Sequence, residues 1–125
     1  MHKSRFVAFV IDCKVDDLDA AARFWSGALG RDVVPASPES PTYRGFVTRP
    51  GEPLMMVQKV DHDSRVHLDI EADDIEAEVK RLEQLGAKRL RKVHNWVVME
   101  SPTGQRFCVV RPQHRDFEQN ANTWK

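Results

Sequence analysis

Asp17-Leu18-Asp19-Ala20, running on to Leu29-Gly30, returns as Asp74-Ile75-Glu76-Ala77, running on to Leu85-Gly86, one residue shorter. Each copy starts with an Asp suited to accept hydrogen bonds from first-turn amides and ends with a Gly that supplies the left-handed residue after a helix. Between these ends, Leu18, Ala21, Ala22, Trp25, Ala28 and Leu29 recur at helical spacing, as do Ile75, Val79, Leu82 and Leu85. The stretch therefore predicts two helices and an internal repeat.

Working outward, Arg5 to Cys13 is almost all apolar, with β-branched and aromatic types, the pattern of a strand covered on both faces. In Arg65 to Glu71, Val66, Leu68 and Ile70 alternate with His67, Asp69 and Glu71, as in a half-buried strand. After the first helix, Arg31–Ala36, Thr42–Thr48 and Pro53–Val60 read as strands divided by Ser37-Pro38-Glu39-Ser40-Pro41 and Arg49-Pro50-Gly51-Glu52. Following the second, Ala87–Val93, Asn95–Glu100 and Gln105–Arg111 do the same, with Ser101-Pro102-Thr103-Gly104 set for a tight hairpin. Strand, helix and three strands, twice over, predict an α+β protein. Its two βαβββ modules, about 5–60 and 65–111, form curved mixed sheets around a central cup. One domain covers residues 1–113, and 114–125 form a polar tail in which Phe117 and Trp124 need a surface to pack on.

The whole chain of 125 residues is the size of one domain, and 19 Lys and Arg balance 19 Asp and Glu. That balance excludes a net field drawing the protein to nucleic acid or anionic lipid. No apolar run approaches the roughly eighteen residues of a spanning helix, and Met1-His2-Lys3-Ser4-Arg5 leads into a strand rather than a signal core, so the expected place is the cytoplasm. Cys13 and Cys108 match no metal-knuckle spacing and read as reduced thiols in strands.

The sequence resembles the vicinal oxygen chelate superfamily of glyoxalase I, extradiol dioxygenases and bleomycin-resistance proteins, above all its glyoxalase-like domain subgroup. The resemblance is carried by Asp17-Leu18 with Ala22-Arg23-Phe24-Trp25 and Leu29-Gly30, by His67-Leu68-Asp69-Ile70, by Leu85-Gly86-Ala87, and by Ser101-Pro102-Thr103-Gly104-Gln105-Arg106-Phe107-Cys108. It implies a cup and, in metal-dependent relatives, a ligand on the first strand, one near the end of the fourth, a His on the fifth and a Glu on the last. Here those places hold Ala8 or Val10, Gln58, His67 and Cys108. A hydrocarbon at the first place and a thiol in place of the last Glu break the set, with Gln58 a poor substitute for Glu, so no metal and no cofactor are expected; Asp69 or Glu100 would have to supply a third ligand to His67 and Cys108.

The ligand-facing residues are expected to be Met56, Gln58, His67, Asp69, Trp96 and Cys108. His67 is the one candidate catalyst, steadied by Asp69 or paired with Cys108. Trp96 offers a plate for a planar ligand, with Tyr43, Phe46, Met55 and Met56 as adaptable apolar wall. Glu71, near its strand end, reads as solvated, and Glu76, Glu78, Lys80, Arg81 and Glu83 as a solvated helix face. His94 reads as a surface turn residue, and His2, His62 and His114 carry no role. Two functions stand open, with a structural or regulatory module whose cup is filled by its own side chains as a third. One is a metal-independent binding protein for a hydrophobic or aromatic metabolite or drug. The other is an enzyme of the lyase, isomerase or dioxygenase type acting through His67 on a small carbonyl or aromatic metabolite. A homodimer with the tail laid on the neighbouring subunit is expected from the resemblance, against docking of the tail on its own subunit.

Overall fold

The structure, a computed structural model, describes all residues 1–125 and is an α+β protein of eight strands and three helices. In chain order these are β1 (His2–Cys13), α1 (Leu18–Leu29), β2 (Tyr43–Gly45), β3 (Leu54–Lys59), β4 (Arg65–Ala72), α2 (Ile75–Gln84), β5 (Lys88–Val93), β6 (Trp96–Glu100), β7 (Arg106–Val110), α3 (Phe117–Asn120) and β8 (Asn122–Trp124). They divide into two compact units, one of Ala8–Val66 and one of Met1–Val7 with His67–Lys125, so β1 gives a half to each. No helix is long and apolar enough to cross a membrane.

In the unit of Ala8–Val66, β1 pairs parallel with β3, and β3 pairs antiparallel with β2. Asp17 caps α1 by accepting from the Ala20 amide at 3.2 Å, and Gly30 closes it at φ 67°, ψ 39°. Leu18 and Ala22 of α1 bury against Cys13, Phe46 and Val57, with Ile11, Trp25 and Met55 packed around them. One expected strand is missing. Arg31–Ala36 makes only the isolated bridge Val33↔Phe46, because Pro35 and Pro38 offer no amide to a ladder. The run Arg5–Cys13 is also less enclosed than its composition suggests: Phe6 is 43% and Phe9 38% exposed.

The second unit repeats the arrangement more completely. β4 pairs parallel with β7, β7 antiparallel with β6, and β6 antiparallel with β5. Asp74 caps α2 through the Ala77 amide at 3.0 Å. Gly86 follows at φ 105°, a backbone conformation that requires glycine, and an added Cβ would also crowd Pro102 at 3.2 Å. Val79 and Leu82 of α2 pack on Ala72, Val97, Met99 and Val109, while Leu85, expected on this face, is 66% exposed. The basic β5 is the exposed edge, with an irregularity between Arg89 and Arg91, the place where charge and bulging deter edge pairing. Cys13 and Cys108 are free thiols, as expected.

Contrary to the reading of α2's polar face as solvated, the chain ends cover part of it. β8 pairs antiparallel with the start of β1, placing Trp124 opposite His2 and Asn122 opposite Ser4. The Trp124 indole N–H donates to Ser4 Oγ at 2.8 Å, and the Arg81 guanidinium lies 3.8 Å from the Trp124 ring centroid. Arg81 donates twice to Glu78, at 2.9 and 2.8 Å, and His2 Nε2 lies 2.7 Å from the same carboxylate. Glu78 is fully buried. Burial would push its carboxyl up, but hydrogen bonds from Arg81, His2 and Ser4 outweigh that and hold it below the usual range. The tail thus packs on its own chain, with Phe117 buried, and Phe117 and Trp124 give no independent reason to invoke a neighbour.

Candidate functional site

Strand alternation separates two faces in the unit that holds β4–β7. Ile70, Ala72, Phe107, Val109, Val97 and Met99 pack with α2, so His67, Asp69 and Glu71 of β4, Cys108 of β7, and Trp96 and Val98 of β6 point the other way. Register then sets neighbours: Asp69 stands opposite Cys108, and Cys108 opposite Val98. His67, two residues before Asp69, shares its face.

The donor atoms of His67, Asp69 and Cys108 lie within 4.8 Å of one another. His67 Nε2 is 3.4 Å from Asp69 Oδ1, and the two side chains are only 12% and 15% exposed. Asp69 Oδ1 is buried and makes no hydrogen bond. A buried carboxylate oxygen left without a hydrogen bond is expensive in a finished core. Three of the expected site residues are therefore brought together here. Trp96 lies on the same face one strand over, with its ring 5.6 Å from that of the exposed His94. At the rim, Arg106 Nε lies 3.9 Å from Glu100 Oε2.

Glu71 corrects the sequence reading. Instead of being solvated it is fully buried, accepting from Arg5 Nε at 2.6 Å and from the amides of Gln113 and His114. Arg5 also donates to Asp116 at 2.6 Å, so this carboxylate anchors the tail. No local pattern announces it, since its partners are 66 and 42 residues away.

Met56 and Gln58 belong to the other unit. Both are half-buried on β3, where the α1 core takes Val57 and Met55 and leaves Met56 and Gln58 on the opposite face. Gln58 stands opposite Asp12 and Tyr43. Asp12 is buried, with Oδ2 3.6 Å from Arg65 Nε and 3.9 Å from His62 Nε2. The four places of the family's metal ligands do not fit a cation as that family holds one: Ala8 and Val10 are buried hydrocarbons.

A groove of about 540 Å³, not anticipated from sequence, lies at the start of α2, lined by Asp73, Glu76, Lys92, His94, Asn95 and Arg111 among others. Its charges are mixed, and none of the expected site residues lines it.

A βαββ copy followed by a fuller βαβββ copy, each with a mixed sheet, matches the fold of the glyoxalase, bleomycin-resistance and dioxygenase class. Residues 8–110 match the family described as glyoxalase-like domain, and the chain belongs to that family. No curated protein matches it significantly. Among solved structures it is similar to a hypothetical protein of Bacillus halodurans C-125, with 11% identity, TM-score 0.62, and coverage of 90% of this chain and 96% of that one. It is also similar to methylmalonyl-CoA epimerase from Mycobacterium tuberculosis, with 18% identity, TM-score 0.52, and coverage of 88% and 89%. A glyoxalase/bleomycin resistance protein/dioxygenase superfamily member from Vibrio splendidus 12B01 is 19% identical at TM-score 0.50, with coverage of 85% and 98%. At these identities the likeness is one of fold.

Proposed function

We propose that this chain binds a small molecule with an apolar or aromatic body and a polar head, and that the face of β4, β7 and β6 turned away from α2 receives it. The head meets His67, Asp69 and Cys108, and the body lies toward Trp96. The observation that carries this reading is the buried Asp69 oxygen without a hydrogen bond, set beside an imidazole and a thiol on two paired strands. Side chains that served packing alone would be apolar, as they are on the α2 face of the same strands. Family membership supports small-molecule binding in general and leaves the ligand open.

A second reading is turnover of the isomerase or lyase kind. It draws on the 3.4 Å approach of Asp69 to His67 Nε2, an arrangement in which a carboxylate orients an imidazole that gives and takes a proton. Native mass spectrometry of the purified chain, followed by a thermal-shift screen of small carbonyl and aromatic compounds, tests the binding reading. A compound that stabilises the protein, and loses that effect in Asp69→Asn and Trp96→Ala, is the expected result. Undiminished stabilisation in both variants would sink the assignment of this face. Turnover that disappears in His67→Gln while binding persists would select the enzyme.

A further inference from the structure

We infer that His67, Asp69 and Cys108 form a three-ligand site for a borderline divalent cation, zinc by the nature of its donors, with a fourth position open to an oxygen atom of the bound small molecule. The fourth-position part rests on the proposed function; the metal part rests on geometry alone. In a tetrahedral zinc site, bonds of about 2.0–2.1 Å to nitrogen and oxygen put two ligand atoms about 3.3 Å apart. His67 Nε2 and Asp69 Oδ1 are separated by 3.4 Å. Asp69 Oδ1 is buried yet accepts no hydrogen bond. A cation between the two accounts for both facts.

Cys108 completes the set from the adjacent strand. Its Cα is the register partner of Asp69, and its sulfur falls within the 4.8 Å group. A longer zinc–sulfur bond of about 2.3 Å draws it inward by no more than a side-chain adjustment. One thiolate, one imidazole and one carboxylate suit zinc. Magnesium and calcium prefer oxygen alone, and the common non-haem iron site asks for two His and a carboxylate. Three protein ligands with one place free is the arrangement of zinc sites that act on substrates rather than hold folds together.

This set differs from the one the family implies. It dispenses with the first-strand and fourth-strand ligands, whose places are Ala8 or Val10 and Gln58, and recruits Asp69, two residues beyond His67 on the same strand face. The expectation of no metal rests on the family's four places, and this set lies partly outside them. A zinc ion on Nε2 would also occupy the lone pair that proton transfer by His67 requires, so the inference competes with the acid–base reading and leaves the binding reading untouched.

The test uses the full chain, stripped with chelator and then loaded with zinc or cobalt(II) alone, with no organic ligand present. One equivalent should survive desalting. The cobalt form should show a thiolate-to-metal charge-transfer band and the intense visible bands of four-coordinate cobalt. Cys108→Ser should abolish the charge-transfer band, Cys13→Ser should leave it unchanged, and Asp69→Asn and His67→Gln should each weaken binding by at least roughly 100-fold, beyond what loss of a supporting hydrogen bond does. Circular dichroism checks that each variant is folded, and the wild-type spectrum decides even if one is not. Substoichiometric retention, or a cobalt spectrum without the thiolate band, overturns the inference. If that happens while a small molecule still needs Asp69 and Trp96, the proposed function stands; metal bound without any small-molecule response is the opposite outcome.

Discussion

The two copies, βαββ and βαβββ, place the same three positions in the same relation and fill them differently. Aligning Asp17 with Asp74 sets Val10 against His67 and Asp12 against Asp69, and the register pairs Asp12 with Gln58 as it pairs Asp69 with Cys108. One half thus carries Val10, Asp12 and Gln58, the other His67, Asp69 and Cys108. Only the Asp is shared, and its surroundings diverge. Asp12 is approached by the Arg65 guanidinium and the His62 imidazole, whereas Asp69 faces an imidazole and a thiol. A duplicated frame has kept its backbone geometry and concentrated reactive groups in one copy.

The largest expected effect comes from erasing that difference. His67→Val combined with Cys108→Gln gives the second half the composition of the first. Binding of small molecule and of cobalt should both be lost, while the urea unfolding free energy shifts by less than about 1 kcal/mol, because the altered side chains lie outside the α2 core. A double variant that still binds either one places the site elsewhere.

Both helices could be read in advance from a capping Asp, a 3.6-residue stripe and a terminal Gly, because those signals are local. The strand at Arg31–Ala36 could not, since β-branched content promised a strand and Pro35 withheld the amide a ladder needs. His67 and Asp69 were legible as face-mates from alternation alone. What alternation cannot say is that Asp69 would stand opposite Cys108, which depends on the parallel pairing of strands 40 residues apart. Glu71, Glu78 and His2 escaped for the same reason. Each pair joins a residue near the N-terminus to a distant element, as in Arg5 to Glu71 and His2 to Glu78, and read locally each resembles a solvated charge.

Core truncation comes next in size. Met99→Ala, at a fully buried residue in one unit, should cost about 3 kcal/mol, and Val57→Ala, equally buried in the other, about 2 kcal/mol because it removes less hydrocarbon. If unfolding of the two variants, followed by tryptophan fluorescence and by circular dichroism, gives coincident transitions, the halves unfold together despite clustering as separate units.

Among the aligned positions at which the helices differ, Ala21 of α1 corresponds to Glu78 of α2. Glu78→Ala strands His2 and Arg81 without their acceptor. It should cost about 2 kcal/mol, less than a wholly enclosed pair because the Arg81 side chain is 24% exposed. Since the folded carboxyl lies below its ordinary value, its contribution is present above the unfolded value and fades as pH falls through the folded one. Glu78→Gln should therefore flatten the acid limb of a stability–pH curve. An unchanged limb would show that the clasp draws little on the charge.

Where the halves agree, mutation should agree too. Asp17 and Asp74 each accept one first-turn amide, at 3.2 and 3.0 Å, and neither makes its cap through a residue of the opposite unit. Replacing either with Ala should cost about 1 kcal/mol, and the double variant about the sum, because no shared partner couples them. Equality is the informative outcome. It would mean the repeat is energetic as well as geometric at the positions that build the frame, so that the divergence at Val10 and His67 marks a change of use. A cost at Asp74 several times that at Asp17 would instead tie the second cap to the neighbouring backbone contact of Asp73 with Lys3, and the repeat would then extend only to shape.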